Sequence, residues 1–168
     1  MAMNTTKPAL LISACLLGQP VRYDGQAKGQ TPQQLVALTT HFQLIPTCPE
    51  CAGGLPVPRP PAEISGGDGS DVWQGTAKVM TADGQDLTTA FTNGAEHSLD
   101  LAQQHGCQLA LLKANSPSCG NRQIYDGSFT AQLQPGEGVC SSLLRQHNIR
   151  IFNEEEISTL LETAGRKT

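Results

Sequence analysis

The sequence predicts an α/β fold in which a three-layer, Rossmann-like domain carries helices on both faces of a parallel sheet. The chain has 168 residues, which is the ordinary length of a single domain. Short apolar runs indicating buried strands alternate with segments bounded by helix start and stop signals. Residues 53–87 interrupt this alternation. We therefore expect one domain spanning residues 1–168, with a small hairpin and loop insertion at about residues 53–87.

The elements of the first half follow from apolar runs and capping residues. An apolar run bounded by Pro or Gly is typical of a strand buried on both faces. A Thr-Pro pair supplies an N-cap hydroxyl and a preset first helical residue. In order, we predict a strand at Ala9–Leu17, a turn at Arg22–Gly25, a helix from Pro32 to about His41, and a strand at Phe42–Pro46 that Pro46 ends.

The insertion is rich in Pro and Gly. Residues Gly53–Pro61 must be extended or turn-rich, because each Pro disfavours helix for the residue before it. Ser65–Ser70 is expected to be a mobile loop. Trp73–Met80, together with Asp83 and Gly84, indicates a small hairpin.

The second half repeats the alternation of helix and strand. Its last helix has Asn153 as N-cap and three Glu residues in its first turn, which favours the helix dipole. The other predicted elements are a helix at Thr88–His105 closed by Gly106, a strand at Cys107–Leu112, a helix at Val139–His147 and a strand at Ile149–Phe152.

Composition argues against several classes of partner. The net charge of −4 gives no basic footprint for nucleic acid. The N-terminal apolar run is far shorter than the roughly 20 residues that span a bilayer, and the polar Met1–Pro8 segment does not resemble a signal peptide. We therefore expect a cytoplasmic protein with reduced thiols, a monomer or homodimer, that binds neither nucleic acid nor membrane.

Three of the six cysteines share a position relative to the predicted strands. Cys15 lies near the end of the first strand, Cys48 just past the second, and Cys119 in the loop after the third. Ligands of open α/β sheets bind outside the carboxyl ends of the strands, so these thiols can face one point. Three soft thiolates favour zinc, copper(I) or an iron–sulfur cluster. Cys107 and Cys140 do not fit this pattern and are expected to be buried as small hydrophobes.

Cys51 leaves alternatives open, because it forms a C-x-x-C motif with Cys48. A thiol oxidoreductase would use such a pair, with the first Cys at a helix N-terminus. The Gly53–Pro56 segment argues against that helix. Two other roles remain open for Cys51. It is either a fourth ligand, which would suit a non-catalytic four-thiolate metal-binding module, or a residue with no part in the site.

Three blocks of residues carry a family resemblance. The first is Ser13–Gly18 with Arg22–Gly25, the second Cys48–Glu50 with Gly53–Arg59, and the third Ser116–Gly120 with Tyr125–Gly127. In this order and over nearly the whole chain, they resemble the bacterial DUF523 family. Its members of known activity are thiouracil desulfurases (TudS), which carry a [4Fe–4S] cluster.

The resemblance implies a cofactor and a reaction. Cys15, Cys48 and Cys119 would hold three irons and leave the fourth iron open. A thiolated pyrimidine (4-thiouracil, thiouridine or 4-thio-UMP) would exchange its thiocarbonyl for a carbonyl without redox change. Glu50 would be the general base and proton shuttle. Family members often have an apolar residue where this chain has Cys51.

Several polar residues near the predicted strand ends are candidates for catalysis or substrate binding. Their ordinary role would be turn and capping chemistry. By resemblance, Ser116, or less so Ser118, would hydrogen-bond the substrate or the departing sulfide. Arg22 and Arg59 can bind a phosphate bidentately, or pair equally well with a carboxylate such as Asp24 or Glu63. Tyr23 or Trp73 could stack on the pyrimidine or simply pack. The substrate-binding candidates are therefore Arg22, Tyr23, Asp24 and Arg59.

Overall fold

Strands and helices alternate along most of the chain. The computed structural model describes residues 7–19, 24 and 29–165. In chain order, its elements are β1 (Ala9–Ser13), α1 (Pro32–His41), β2 (Gln43–Thr47), α2 (Pro49–Ala52), β3 (Ala62–Ser65), α3 (Gly69–Gln74), β4 (Lys78–Thr81), α4 (Thr88–Gln104), β5 (Leu109–Leu112), β6 (Gln123–Tyr125), β7 (Leu133–Pro135), α5 (Val139–Gln146), β8 (Arg150–Asn153) and α6 (Ile157–Gly165). Short 3-10 helices follow β1, at Ala14–Leu17, and β8, at Glu154–Glu156.

The central sheet has four parallel strands in the order β2-β1-β5-β8. The two inner strands, β1 and β5, are almost entirely apolar, as expected for strands covered on both faces. Leu11 of β1 pairs with Ile45 on one side and Ala110 on the other. The predicted parallel α/β fold is confirmed.

Helices cover both faces of this sheet. Because successive strand residues point to opposite faces, Leu11 packs in one cluster with Phe91 of α4 and Leu144 of α5. Leu10 packs in the other cluster with Leu160 of α6. Among the described residues, no helix is long and apolar enough to cross a membrane.

The predicted caps form as the residues require. Thr31 and Gln34 make a capping box at the start of α1, and Asn153 and Glu156 make another after β8. Gly106 adopts a left-handed conformation just past α4, with φ of 67°. These local signals therefore place the start of α1 and the end of α4 as predicted, whereas the predicted last helix begins as a 3-10 helix at Glu154–Glu156 and becomes α-helical only from Ile157.

Several strand boundaries differ from the prediction, and two of the differences affect the carboxyl edge of the sheet. The apolar run Ala9–Leu17 does not form one strand, because it turns after Ser13 into a 3-10 helix that ends at the left-handed Gly18. Cys15 therefore lies on the turn, at the carboxyl edge of the sheet. Pro46 does not end β2, because β2 is an edge strand and its free side tolerates a residue without an N–H.

The insertion contains more regular structure than predicted. β3 and β4 form an antiparallel pair. The Ser65–Ser70 stretch is not simply a loop, because Asp68 caps α3 in a capping box with Asp71. Trp73 consequently lies in α3 instead of a hairpin. The predicted hairpin is reduced to a bridge between Met80 and Asp86.

Candidate active site

A cavity of about 430 Å³ lies at the carboxyl ends of β1, β2 and β5. Cys15, Cys48 and Cys119 all line it. The other three cysteines, each within the described residues, are outside this lining. The structure therefore places in one cavity the three cysteines that were predicted to lie at the carboxyl ends of the strands.

Backbone hydrogen bonds and a serine hydroxyl hold the loop that carries Cys119. The Ser116 hydroxyl accepts the N–H groups of Ser118, at 3.0 Å, and Cys119, at 3.1 Å. At the start of α5, the Cys140 N–H donates to the Ser118 carbonyl at 2.8 Å. Gly138 permits this approach, since a Cβ there would lie 2.4 Å from the Ser118 backbone. The predicted capping role of Ser116 is thus observed.

Two further serines fix Cys119 itself. The Ser13 hydroxyl donates to the Cys119 sulfur at 3.7 Å and accepts the N–H of Lys113 at 3.0 Å. The Ser141 hydroxyl donates to the Cys119 carbonyl at 2.8 Å. Burial raises the pKa of the Cys119 thiol well above its ordinary value of 9.0, and the nearby Cys140 and Glu50 raise it further. Cys119 is therefore anchored by hydrogen bonds to its sulfur and to its carbonyl, in surroundings that favour the protonated thiol.

Glu50 and Arg59 form an ion pair at the cavity wall. Arg59 Nη2 lies 2.6 Å from Glu50 Oε1, and the exposed fractions of the two side chains are 3% and 19%. Arg59 Nη1 also donates to the Pro56 carbonyl at 2.9 Å. Burial lowers the pKa of Arg59, but the attraction of Glu50 outweighs it and the pKa is raised. Pairing of Arg59 with a carboxylate is therefore observed, and the carboxylate seen in this contact is Glu50.

Cys48 is the N-cap of the one-turn helix α2, and Cys51 lies within that helix. The expectation that no helix could follow Cys48 was wrong, because four residues fit before Gly53 ends the turn. Burial nevertheless raises the pKa of Cys48 to about 12, and the Cys51 and Glu50 side chains add to the rise. A redox C-x-x-C pair requires a lowered thiol pKa. This environment therefore does not favour the oxidoreductase alternative.

The remaining predicted residues have different placements. Arg22 and Tyr23 lie outside the described residues. Asp24 is described as an exposed turn residue outside the cavity lining. Trp73 donates its indole N–H to the Val139 carbonyl at 2.9 Å and does not line the cavity, so its packing role is the observed one.

Sequence reasoning missed much of the opposite cavity wall. Three aromatic side chains contribute to it, from Phe91, Tyr125 and Phe129. Lys113 also lines the cavity and forms an ion pair with Glu154 at 2.8 Å. Tyr125 stands out in the sequence only as part of the third block, and Phe129 carries no local signal. A single aromatic residue in a loop does not reveal which cavity it faces.

Comparison with known proteins shows the family to which the chain belongs. A family model described as 2-thiouracil desulfurase matches residues 10–156. The chain belongs to the 2-thiouracil desulfurase family. It is 40% identical over 152 residues to the uncharacterized protein YbbK of Bacillus subtilis (strain 168), a match that covers 90% of this chain and 99% of that protein. The predicted family resemblance is confirmed, and membership places the chain in an enzyme family.

A solved structure supports the same assignment. The chain is similar to a [4Fe-4S]-dependent thiouracil desulfidase, TudS (DUF523Vcz), with a TM-score of 0.84 and 45% identity. The match covers 95% of this chain and 99% of that one. The α/β fold predicted from the sequence is therefore that of a desulfurase-family structure.

The residues at the cavity fit an iron–sulfur cluster as donors. Three thiols line one cavity, and thiolates are the usual ligands of such clusters. Among the described residues, no three His, Cys, Asp or Glu side chains are grouped as ligands of a single ion. Cluster ligands bind different irons and stand farther apart. The Ser118 hydroxyl, next to Cys119 in the chain, is buried with no hydrogen-bond partner among the described residues, but Ser118 does not line the cavity.

Proposed function

We propose that this protein replaces the sulfur of a thiolated pyrimidine with oxygen, using a [4Fe–4S] cluster held by Cys15, Cys48 and Cys119. The observation that carries the proposal is the shared cavity. These three cysteines line it together with Glu50 and Ser116, whereas Cys51, Cys107 and Cys140 do not. The similar TudS protein is a [4Fe-4S]-dependent thiouracil desulfidase, which supports both the cofactor and the class of substrate.

The proposed reaction is a hydrolysis and involves no net redox change. Water adds to the carbon of the thiocarbonyl, and the electron pair of the carbon–sulfur π bond moves to sulfur. The carbon–sulfur bond then breaks while the carbonyl forms. Sulfur leaves as hydrogen sulfide with the two protons of the water molecule. Thiopyrimidine and water thus give pyrimidine and hydrogen sulfide, with no oxidant or reductant consumed.

The cluster and Glu50 would have different roles in this reaction. When bound, the cluster would supply a Lewis-acidic iron, without a protein ligand, that polarises the thiocarbonyl. Glu50 lies two residues from Cys48 and lines the cavity, where its carboxylate can take a proton from water and pass it to the departing sulfur. Arg59 holds that carboxylate in place through the 2.6 Å ion pair. A phosphate-binding role for Arg59 would therefore compete with this contact.

Ser116 and Ser118 are the two serines proposed to hydrogen-bond the substrate or the departing sulfide. Ser116 already accepts two backbone N–H groups, so its own O–H can donate toward the substrate or the departing sulfide. Ser118 is only 1% exposed and is not part of the cavity lining, so we assign the substrate contact to Ser116 first. Arg22, Tyr23 and Asp24 remain proposed substrate contacts on sequence grounds.

Cys51 decides whether one iron stays open. It lies beside Cys48 but outside the cavity lining, which supports ligation by three cysteines. Four-thiolate ligation would suit a non-catalytic module and would require Cys51 to turn into the cavity. Ligation by free thiols also suits a cytoplasmic location, where thiols stay reduced.

The test is anaerobic reconstitution followed by assay of sulfide release. The loaded protein should convert 2-thiouracil, 4-thiouracil, thiouridine or 4-thio-UMP to the oxo form, with one sulfide per product and no added reductant. Comparing the four substrates shows which of them is preferred. A fully loaded protein that turns over none of them would refute the proposal, as would a protein that binds only zinc.

A further inference from the structure

The loop between β6 and β7 supplies part of the cavity wall through Phe129 and Ala131. Both residues adopt positive φ angles, 58° and 62°, which non-glycine residues rarely do. Such conformations persist only where the surroundings hold them, and they are common at ligand sites. The loop therefore needs an external contact that fixes it.

Glu63 of β3 provides that contact. Its Oε1 accepts the N–H of Gly127 at 2.9 Å and the N–H of Phe129 at 3.1 Å. Hydrogen bonds to a carboxylate are roughly twice as strong as those between neutral groups. The loop also lies directly on β3, since a Cβ at Gly127 would be 2.7 Å from the Ile64 carbonyl oxygen. One carboxylate thus ties the strained loop to the insertion.

This tie matters because the two sides of the cavity come from different parts of the fold. The three cysteines follow strands of the central sheet, whereas Phe129 belongs to the separate β6–β7 hairpin. A flat substrate that must present one atom to the cysteines needs its ring plane fixed as well. Phe129 can do this only if its loop is held still.

We infer that Glu63 is a positioning residue that holds Phe129 as the stacking surface for the ring of a thiolated pyrimidine. The inference rests on the proposed function and adds the residues that orient the substrate ring. Every nucleobase presents a π-face, so stacking on an aromatic side chain suits this class of substrate. Glu63 also lines the cavity, but its Oε1 accepts the two backbone N–H groups of the loop, and the role assigned to it here is to act through Phe129.

The experiment compares Glu63→Ala with Glu63→Gln in the holoenzyme. Alanine removes the acceptor, whereas glutamine keeps a carbonyl oxygen for the same two N–H groups. Hydrogen exchange of the Gly127 and Phe129 amides should quicken at least about 10-fold in Glu63→Ala and stay near wild type in Glu63→Gln. Glu96→Ala, an exposed carboxylate change on α4, is the matched control and should leave exchange and turnover unchanged.

Kinetics supply the second readout. The KM for 2-thiouracil should rise about 10-fold in Glu63→Ala, with smaller changes in kcat and unchanged iron content. Phe129→Leu keeps an apolar side chain without a π-face and should raise KM similarly. The double variant should be no worse than either single variant, because both remove the same contact.

Each contrary result has a distinct meaning. Wild-type amide exchange in Glu63→Ala would overturn the positioning role. Faster exchange with wild-type KM in both Glu63→Ala and Phe129→Leu would overturn the stacking role. A fully loaded wild-type protein without turnover would refute the proposed function instead, and the exchange measurement would still decide whether Glu63 fixes the loop.

Discussion

The hydroxyl of Ser13 lies 3.7 Å from the sulfur of Cys119 and also accepts the backbone N–H of Lys113 at 3.0 Å. One buried side chain at the end of β1 thus links the end of β5 to a proposed cluster ligand. Hydrogen bonds to ligand sulfurs orient them and tune iron–sulfur clusters. Ser13 therefore has both a structural and a cofactor-directed contact.

Replacing Ser13 by alanine should reduce stability and weaken cluster retention. The part-buried Lys113 N–H loses its acceptor, which costs about 1–3 kcal/mol, and Cys119 loses its hydrogen-bond donor. Urea unfolding of the apoprotein measures the first effect, and decay of the visible cluster absorbance in air measures the second. Ser158→Ala, on the exposed side of α6, is the control. Equal stability and equal decay in the two variants would contradict this role.

Replacing Arg59 by methionine should lower desulfuration without removing iron. Glu50 would lose the partner that holds its carboxylate at the cavity, and we expect about a 10- to 100-fold loss in kcat. Lysine keeps the charge but cannot reproduce the forked contacts to Glu50 and the Pro56 carbonyl, so it should restore activity only in part.

The control for Arg59 is another Arg–Glu pair of the same length. Arg145 and Glu137 also lie 2.6 Å apart, but the Arg145 side chain is 59% exposed and neither residue lines the cavity. Arg145→Met should therefore leave turnover unchanged. If Arg59→Met kept full activity as well, Glu50 would need no positioning partner.

Changing Cys51 to serine should preserve both the cluster and the activity, because Cys51 lies outside the cavity lining. Cys48→Ser, three residues earlier, should lose both. Iron analysis, visible spectra and sulfide release distinguish the two variants. A changed spectrum in Cys51→Ser, with one iron newly exposed, would favour four-thiolate ligation. Lost activity with an intact cluster would favour a thiol redox reaction.

Acidification should destabilise the protein through Asp68. Burial raises the pKa of this carboxyl, but hydrogen bonds from Ser70, Asp71 and Glu137 outweigh it and lower the pKa below its ordinary value of 3.8. The stabilisation is therefore complete above the unfolded value and is lost as the pH falls through the folded one. The free energy of unfolding should decline below about pH 5.

Asp68→Asn isolates this titration, because asparagine is an equally good N-cap without a charge. Carboxylates with a lowered pKa lose their stabilising effect between about pH 5 and pH 1. Between about pH 6 and pH 3, the free energy of unfolding should therefore fall less in the variant than in wild type. Urea midpoints at each pH measure the difference. Asp100→Asn on the exposed side of α4 is the control. If the urea midpoint of Asp68→Asn fell with pH as steeply as that of wild type, the role of Asp68 would be contradicted.

Local signals predicted the parts of the fold that depend on neighbouring residues. The Thr31–Pro32 pair, Gly106 and Asn153 each act within one turn of backbone, so their caps could be inferred directly. The β6–β7 hairpin could not be inferred, because its strands have only three residues each and no alternating apolar pattern. Its place over the cavity depends on contacts with β3.

Some residues of the candidate site could likewise be predicted from the sequence, and others could not. Cys15, Cys48 and Cys119 could be selected because the carboxyl ends of parallel strands meet at one edge. The contact between Ser13 and Cys119 joins residues 106 positions apart, and that between Glu63 and Phe129 spans 66. Nothing in the local sequence predicts such pairs, and only the packed structure reveals them.

The most direct test of the central claim is the iron content and sulfide release of cysteine variants after anaerobic reconstitution. Wild type and Cys107→Ala should each bind about four irons per chain and release sulfide from thiouracil. Cys15→Ala, Cys48→Ala and Cys119→Ala should each lose the cluster and the activity. Full iron content and turnover in any of these three variants would contradict ligation by the three cavity cysteines.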